Sequence, residues 1–402
     1  MSHSKDSLLS NIMSSADLKR HLCIYYITGH GFGHATRAIG LVEKLLECGF
    51  AVEIVSTLQQ DFFLETMSVD SSQLSTTLTV STRSLDAGAI QLDPLQMDIM
   101  QTLKNYFENI HSNYSVLLDQ EVQFLSHRKP DIVLVDATPI ACTAAKRCNI
   151  VSAIVSNFTW DSIYRAMLKS SVVDTGGISM DVLDEMVTLC SEDYCNADYY
   201  IQLPGGMPLP NNFPGVVVQA PLVSRLAVTP RDVVREKYGI PSSATVVLFG
   251  FGGHSMSDLS LSSKMLPQNW ICLVLQGEGV QMPSEHFIPL SRNIFVPDIL
   301  AASDVMLGKL GYGTVSECLS TKTPLVYVQR DGWPEELPLK ELMERYNALV
   351  HMPKDEFFSG NWSTYLVEAL QKTDHILTYM TSDLKVENAF GAVSDIVQSI
   401  VF

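Results

Sequence analysis

The chain is short of positive charge, of long apolar runs and of closely spaced cysteines. Its 402 residues carry 27 Lys and Arg against 44 Asp and Glu, a formal net charge of −17 at pH 7. A field of that sign repels nucleic acid and anionic membrane, so neither is expected as a partner. A phosphate-bearing ligand would then need local donors, such as helix N-termini, in place of a basic surface. No segment approaches 18 uninterrupted apolar residues, so no transmembrane helix is expected. Residues 1–20 are polar and Ser-rich, lack the apolar centre of a signal peptide, and read as a flexible tail. None of the eight cysteines has a C-x-x-C neighbour, and Cys23, Cys142 and Cys272 sit in or beside apolar runs. That usage fits a reducing compartment, and the expected location is cytoplasmic.

What the chain does hold is apolar sequence in strand-sized pieces. Hydrophobic residues make up 46% and charged residues 18%, which suits large buried sheets. A chain of this length exceeds the size at which one core keeps growing, so two domains are expected. The runs at 22–27, 51–56, 131–136, 151–156, 245–250, 270–275, 304–308 and 324–328 are mostly continuous rather than alternating. Strands covered on both faces of a parallel sheet read that way. Helical patterns fall between them, at 35–48, 138–148 and 312–321. The expected fold class is therefore α/β, with two Rossmann-like doubly wound parallel-sheet domains facing an interdomain cleft. The N-terminal domain is placed at 21–205, a Pro-, Gly- and Asn-rich linker at 206–221, and the C-terminal domain at 222–402. Whether the last helix, near 384–401, crosses back is left open.

Ligands of such sheets sit outside the carboxyl ends of the strands. Glycine-rich turns fall there at GHGFGH (29–34), GFGGH (250–254) and GKLGYGT (308–314). In the last of these, Gly311 and Gly313 remove side chains. The N–H groups of the helix beginning around Tyr312 can then face an anion, which the helix dipole favours. Thr314 is placed as an N-cap or phosphate donor, with Glu317 as its capping-box partner; capping alone would account for both. Lys309, directly after a buried strand, is set to neutralise a diphosphate. The segment matches neither G-x-G-x-x-G nor G-x-x-x-x-G-K-[ST]. Gly252 and Gly253 would let a phosphate or sugar approach the backbone, the alternative being a plain tight turn.

In the first turn His30 and His34 stand four apart, which is a zinc spacing on a helix. No Glu or Cys completes a ligand pattern, so no metal is expected. An imidazole at the carboxyl edge of a sheet suits a general base. His34, where the turn becomes helix, is preferred over His30. Gly33 belongs to the same turn, and Arg37 either holds an anion or faces solvent. Asp331, Glu335 and Glu336 cluster beside Trp333 after a strand end. They suit sugar hydroxyls, with a helix-capping loop as the alternative. Asn157, Trp160 and Asp161 follow one strand and Asp136 ends another, a set suited to a carbohydrate-like acceptor. Core packing is the alternative for Trp160 and helix capping for Asp136.

The order of GHGFGH, then PDILAASDVMLGKLGYGTVSECLSTKTPLVYV, then DGWPEE resembles nucleotide-sugar glycosyltransferases of the two-Rossmann-domain (GT-B) class. It is most similar to the N-terminal glycosyltransferase-like half of plant L-arabinokinases, over about residues 22–365. The resemblance implies a nucleotide-diphosphate sugar, a UDP-sugar first, as substrate, with no separate cofactor. Gly311, Gly313 and Thr314 would hold the diphosphate, Glu317 the ribose, the backbone at Val296 the base, and Glu335 and Glu336 the sugar. His34 matches the general base of many relatives. Lys309 stands where many of them have a phosphate-contacting histidine. The kinase half of the arabinokinases has no counterpart, so arabinose phosphorylation is not expected. The expected function is metal-independent transfer of a hexosyl or pentosyl unit to a hydroxyl acceptor. The alternatives are a nucleotide-sugar hydrolase or 2-epimerase, and a non-catalytic sugar-nucleotide-binding protein. The acceptor and the oligomeric state are left open.

Overall fold

The computed structural model describes residues 20–30, 32–67, 77–170, 177–252, 259–275, 282–291, 294–373 and 386–402. Most of the expected tail, together with Gly31 and Gly253, lies outside them. The first sheet is built from β1 (Leu22–Ile27), β2 (Ala51–Ser56), β3 (Leu78–Thr82), β6 (Ile132–Asp136), β7 (Ser152–Ser156), β8 (Tyr199–Gln202) and β9 (Val216–Gln219). These run parallel in the order β3-β2-β1-β6-β7-β8-β9. The second sheet holds β10 (Thr245–Gly250), β11 (Trp270–Val274), β12 (Phe287–Pro289), β13 (Val305–Gly308), β14 (Leu325–Tyr327) and β15 (Leu349–His351). Its order is β12-β11-β10-β13-β14-β15, again all parallel. Helices fill the connections, giving the expected α/β class. The runs read as continuous apolar sequence are buried along their length, as in β6, β7 and β11.

In both sheets the chain starts in the middle, moves out to one edge, and returns to the other side of its first strand. The direction of winding reverses between β1 and β6, and again between β10 and β13. Such switch points open a crevice at the carboxyl ends of the strands. One crevice receives Gly29, His34 and Asp136; the other receives Gly252 and Lys309.

The segment 206–221 is not wholly a linker. Val216–Gln219 pairs with β8 in register, Tyr199 opposite Val216, as the outermost strand. An edge strand exposed on its outer side has no long buried run, and VVVQ is flanked by Pro and Gly that conceal it.

The two halves exchange apolar side chains. A short antiparallel hairpin of β4 (Gln91–Asp93) and β5 (Gln96–Met97) leaves the first half. Leu95, at its tip, belongs to the core of the second sheet with Val247, Phe249 and Leu307. In return Trp333 belongs to the core of the first, with Phe158 and Trp160. Backbone bonds fasten the exchange, from Asp331 N to Leu95 O at 2.9 Å and from Met97 N to Asp331 O at 3.0 Å. The last helix, Ala389–Val401, buries Ala389, Val393 and Val397 and lies against the helix Phe32–Glu47. The approach is close enough that a Cβ on Gly40 would come within 2.6 Å of the Phe390 ring. Among the described residues no helix is long and apolar enough to cross a membrane.

Candidate functional site

At the first switch point Ile27 and Asp136 end neighbouring strands in register. The Asp136 carboxylate is fully buried. Arg37 Nη2 donates to its two oxygens at 2.8 and 2.9 Å, and Ser156 Oγ donates at 3.0 Å. His34 Nδ1 lies 3.0 Å from Oδ1. Burial alone would raise the pKa of this carboxyl, but the charges of Arg37 and His34 reverse the effect and hold it at about 2. An ionised carboxylate only accepts hydrogen bonds, so the His34 proton belongs on Nδ1 and its lone pair on Nε2. Arg37 Nη2 is also 3.0 Å from Nδ1, but both atoms carry hydrogen; they share Asp136 rather than bond to each other.

His30 is held differently. Its Nδ1 accepts the Ala89 N–H at 3.1 Å, which leaves the neutral ring protonated at Nε2 and without a lone pair for a substrate proton. The ring stands edge-on to Trp160 at 5.6 Å, and a Cβ on Gly88 would lie 2.6 Å from it. Of the two histidines, His34 has the geometry of a base.

Arg37 continues the network into the second half. Its Nη1 donates to Asn157 Oδ1 at 2.7 Å, and Asn157 Nδ2 donates to Glu335 Oε1 at 2.7 Å. Trp333 Nε1 donates to Glu335 Oε2 at 2.8 Å. The Arg37 guanidinium also lies 4.7 Å above the Tyr312 ring. The anion that Arg37 holds is thus internal, and a solvent-facing Arg37 is ruled out.

Several expected contacts are corrected. Asp136 and Asn157 are buried beneath the site, not on its acceptor surface. Trp160 is fully buried and stacks on Tyr164 at 5.5 Å, and Asp161 is buried beside it. Tyr164 Oη in turn donates to Gly88 O at 3.0 Å, and Asp161 lies among Thr159, Ser162 and Ser191. Asp331 is exposed, and its carboxylate pairs with Lys354 at the exchanged hairpin. Glu335 is bound as above, and Glu336 accepts from Arg330 Nε at 2.7 Å and Arg330 N at 3.0 Å. Neither carboxylate is idle, because the loop that carries them clasps the first half. Gly33 stands in open space, where an added Cβ would meet nothing within 4 Å.

At the second switch point the helix Tyr312–Thr321 begins as the sequence predicts, but its N-cap is Gly311. Thr314 is the third helical residue, and the first intrahelical bond is Val315 N to Gly311 O at 2.9 Å. The amides of Tyr312, Gly313 and Thr314 precede that bond, the usual state of a first turn. Added Cβ atoms on Gly311 or Gly313 would meet nothing within 4 Å, so no neighbouring atom crowds these two positions. The Tyr312 side chain is buried, which leaves only its amide for a ligand. Glu317 is not a capping-box partner, since its Oε1 accepts Arg225 Nε at 2.9 Å and Nη2 at 2.6 Å. Arg225 also lies 5.4 Å over the ring of Phe295, an exposed residue just before Val296. Val296 opens the helix Val296–Ala302.

Lys309 and Gly252 converge. Gly252 has φ +73°, which favours glycine, and a Cβ there would lie 3.9 Å from Lys309 Nζ. Burial and the Arg330 charge lower the Lys309 pKa to about 7, although Glu336, Glu335 and Asp93 pull it upward. Arg225 and Phe295, which meet beside Val296, lie in none of the strand-end segments that the sequence marks. Only the aromatic directly before Val296–Pro297 offered a signal. Among the described residues no cluster of three or more His, Cys, Asp or Glu is arranged to hold a metal ion.

No protein-family model matches the chain. It is 37% identical over 357 residues to L-arabinokinase of Arabidopsis thaliana, covering 89% of this chain and 33% of that protein. It is 29% identical over 154 residues to an uncharacterised glycosyltransferase of Methanopyrus kandleri, covering 35% of this chain and 43% of that one. The chain therefore spans about a third of the length of the first relative and less than half of the second. Among solved structures it is similar to UGT89C1 of Arabidopsis thaliana in complex with quercetin. The TM-score is 0.64 at 16% identity, over 95% of this chain and all of that one.

Proposed function

We propose that this chain, which has the GT-B glycosyltransferase fold, moves a hexosyl or pentosyl unit from a nucleoside-diphosphate sugar to a hydroxyl acceptor. The observation that carries the reading is the meeting of the two switch points. The base-bearing helix Phe32–Glu47 reaches across through Arg37 to the Tyr312 ring, in the first turn of the helix Tyr312–Thr321. His34 Nε2 takes the proton of the acceptor hydroxyl, and Asp136 stabilises the imidazolium that forms. The acceptor oxygen bonds to the anomeric carbon as the bond from that carbon to the diphosphate oxygen breaks, its electron pair leaving with the diphosphate. The amides of residues 312–314, the helix dipole and Lys309 meet the departing charge with protein groups, and the reading calls for no metal.

The base is assigned to the exposed Phe295 ring and the Val296 backbone, and the ribose to Glu317, whose orientation Arg225 fixes. Glu335 and Glu336 keep the bonds described above and are given no part in holding the donor sugar. A uridine donor is favoured because UGT89C1 has also been solved with UDP-L-rhamnose.

Calorimetric titration with UDP tests the donor site. A diphosphate favours the charged form of Lys309, so binding takes up a proton wherever that lysine is neutral in the free protein. With a free-protein pKa of about 7, affinity should weaken as pH rises from 6.5 to 8.5, by at most roughly tenfold per pH unit. Lys309→Met should bind about tenfold or more weakly at pH 6.5 and lose most of that slope. No heat of binding from the unaltered protein at millimolar UDP would end the proposal.

A further inference from the structure

We infer that a narrow recess beside Asp86, at the carboxyl ends of β1 and β2, anchors a second hydroxyl of the acceptor. The acceptor is then a small neutral polyhydroxylated molecule of the sugar or polyol class, not a flat phenol. The inference rests on the transferase reading and specifies what the acceptor side of that site takes.

The recess is lined by Gly29, Ser56, Thr57, Asp86 and Thr138 among others, and its cavity volume of about 10 Å³ suits one water-sized group. Thr138 Oγ1 donates to Asp86 Oδ2 at 3.1 Å, so the carboxylate is fixed in orientation. Asp86 shares the field of the base: burial raises its pKa to about 6, His34 lowers it and Asp136 raises it. Hydrogen bonds from Thr28 and Thr138 also lower it; near neutral pH the carboxylate is mostly ionised and only accepts, so a further partner in the recess beside these two hydroxyls would have to be a donor. The lining cation is already committed, since Arg83 Nη1 donates to Glu121 Oε2 at 3.1 Å and its guanidinium lies 4.3 Å over the Phe124 ring. A neutral group therefore suits the recess better than an anionic one. Gly29 keeps it narrow, because any Cβ there would collide with Thr57 Oγ1.

The aromatic side chains give the second argument. A flat phenolic acceptor needs an open apolar face to stack on. Phe158, Trp160, Tyr164 and Trp333 are all buried near the base, and they pack on one another or on His30. Among the described residues the ring against His34 is Phe158, edge-on at 5.1 Å and itself buried, so none of these four rings offers a free face to stack on.

The test uses the full chain with UDP-glucose, UDP-galactose and UDP-L-arabinose as donors. The acceptors are D-glucose, L-arabinose, myo-inositol and glycerol in one set, and quercetin and 4-nitrophenol in the other, with products read by mass spectrometry. The expected result is product from the polyol set. Asp86→Asn should raise the acceptor KM at least tenfold while leaving UDP affinity unchanged, and Thr138→Val should move KM the same way. Three results overturn the inference: product from the phenols alone, no product from either set while UDP still binds, or an unchanged polyol KM in a folded Asp86→Asn, which would leave a structural water as the only occupant. Loss of UDP binding by the unaltered protein is the separate result that removes the transferase reading.

Discussion

Arg37→Met is expected to lower the free energy of unfolding by about 3–5 kcal/mol, the usual cost of leaving one member of a buried ion pair behind. Asp136 would keep only His34 and Ser156 in a fully buried site. Asn157 Oδ1 would lose its guanidinium donor as well. Asp136→Asn alone strands the cation instead, and is expected to be costly for the mirror-image reason. The double variant removes both charges and should cost less than the sum of the two singles, by about 1–3 kcal/mol. Urea unfolding at pH 7 measures all four corners of that cycle. Asp136 also sets an acid limit. Its folded pKa of about 2 lies below the ordinary value of 3.8, so the stability it contributes is complete above that value. It is lost as pH falls through about 2. A single-variant cost below about 1 kcal/mol would mean the pair is solvated rather than buried as described.

His34→Ala is expected to lower kcat by about 10²- to 10⁴-fold, the range for removing a general base, with UDP affinity held. The split follows from geometry. The imidazole belongs to the first switch point, whereas the diphosphate is assigned to Lys309 and the amides after Gly311. His30→Ala should act mainly on packing, because its Nδ1 is occupied by the Ala89 amide and its ring lies against Trp160. A His34 variant that turns over at the original rate, with the true substrates, would remove the base assignment and leave the donor assignments standing.

The sheet strands that run through the middle of each half were legible because burial on both faces leaves continuous apolar runs. The helix at 312–321 was legible for another reason: Gly311 and Gly313 mark its start. The edge strand β9 was not, since exposure breaks the run that would have revealed it. The site divides along the same line. Histidine, lysine and glycine at strand ends are visible one at a time, and their positions relative to the switch points follow from topology. Which carboxylate meets which cation is a different matter. Asp136 and His34 are 102 residues apart, Arg37 and Asn157 120, and Asn157 and Glu335 178. Nothing local in DGWPEE distinguishes a glutamate aimed at a sugar from one that braces the opposite half. Likewise Trp160 and Asp161 follow a strand end as ligand residues do, yet both are buried.

The swap of Leu95 for Trp333 fixes what kind of motion the molecule can make. Each sheet is sealed by a plug that the other owns, so neither is a separable module, and cutting the chain near Pro210 would leave both pieces with a hole in the interior. Any movement between the halves must then keep Leu95 and Trp333 seated or open both holes at once.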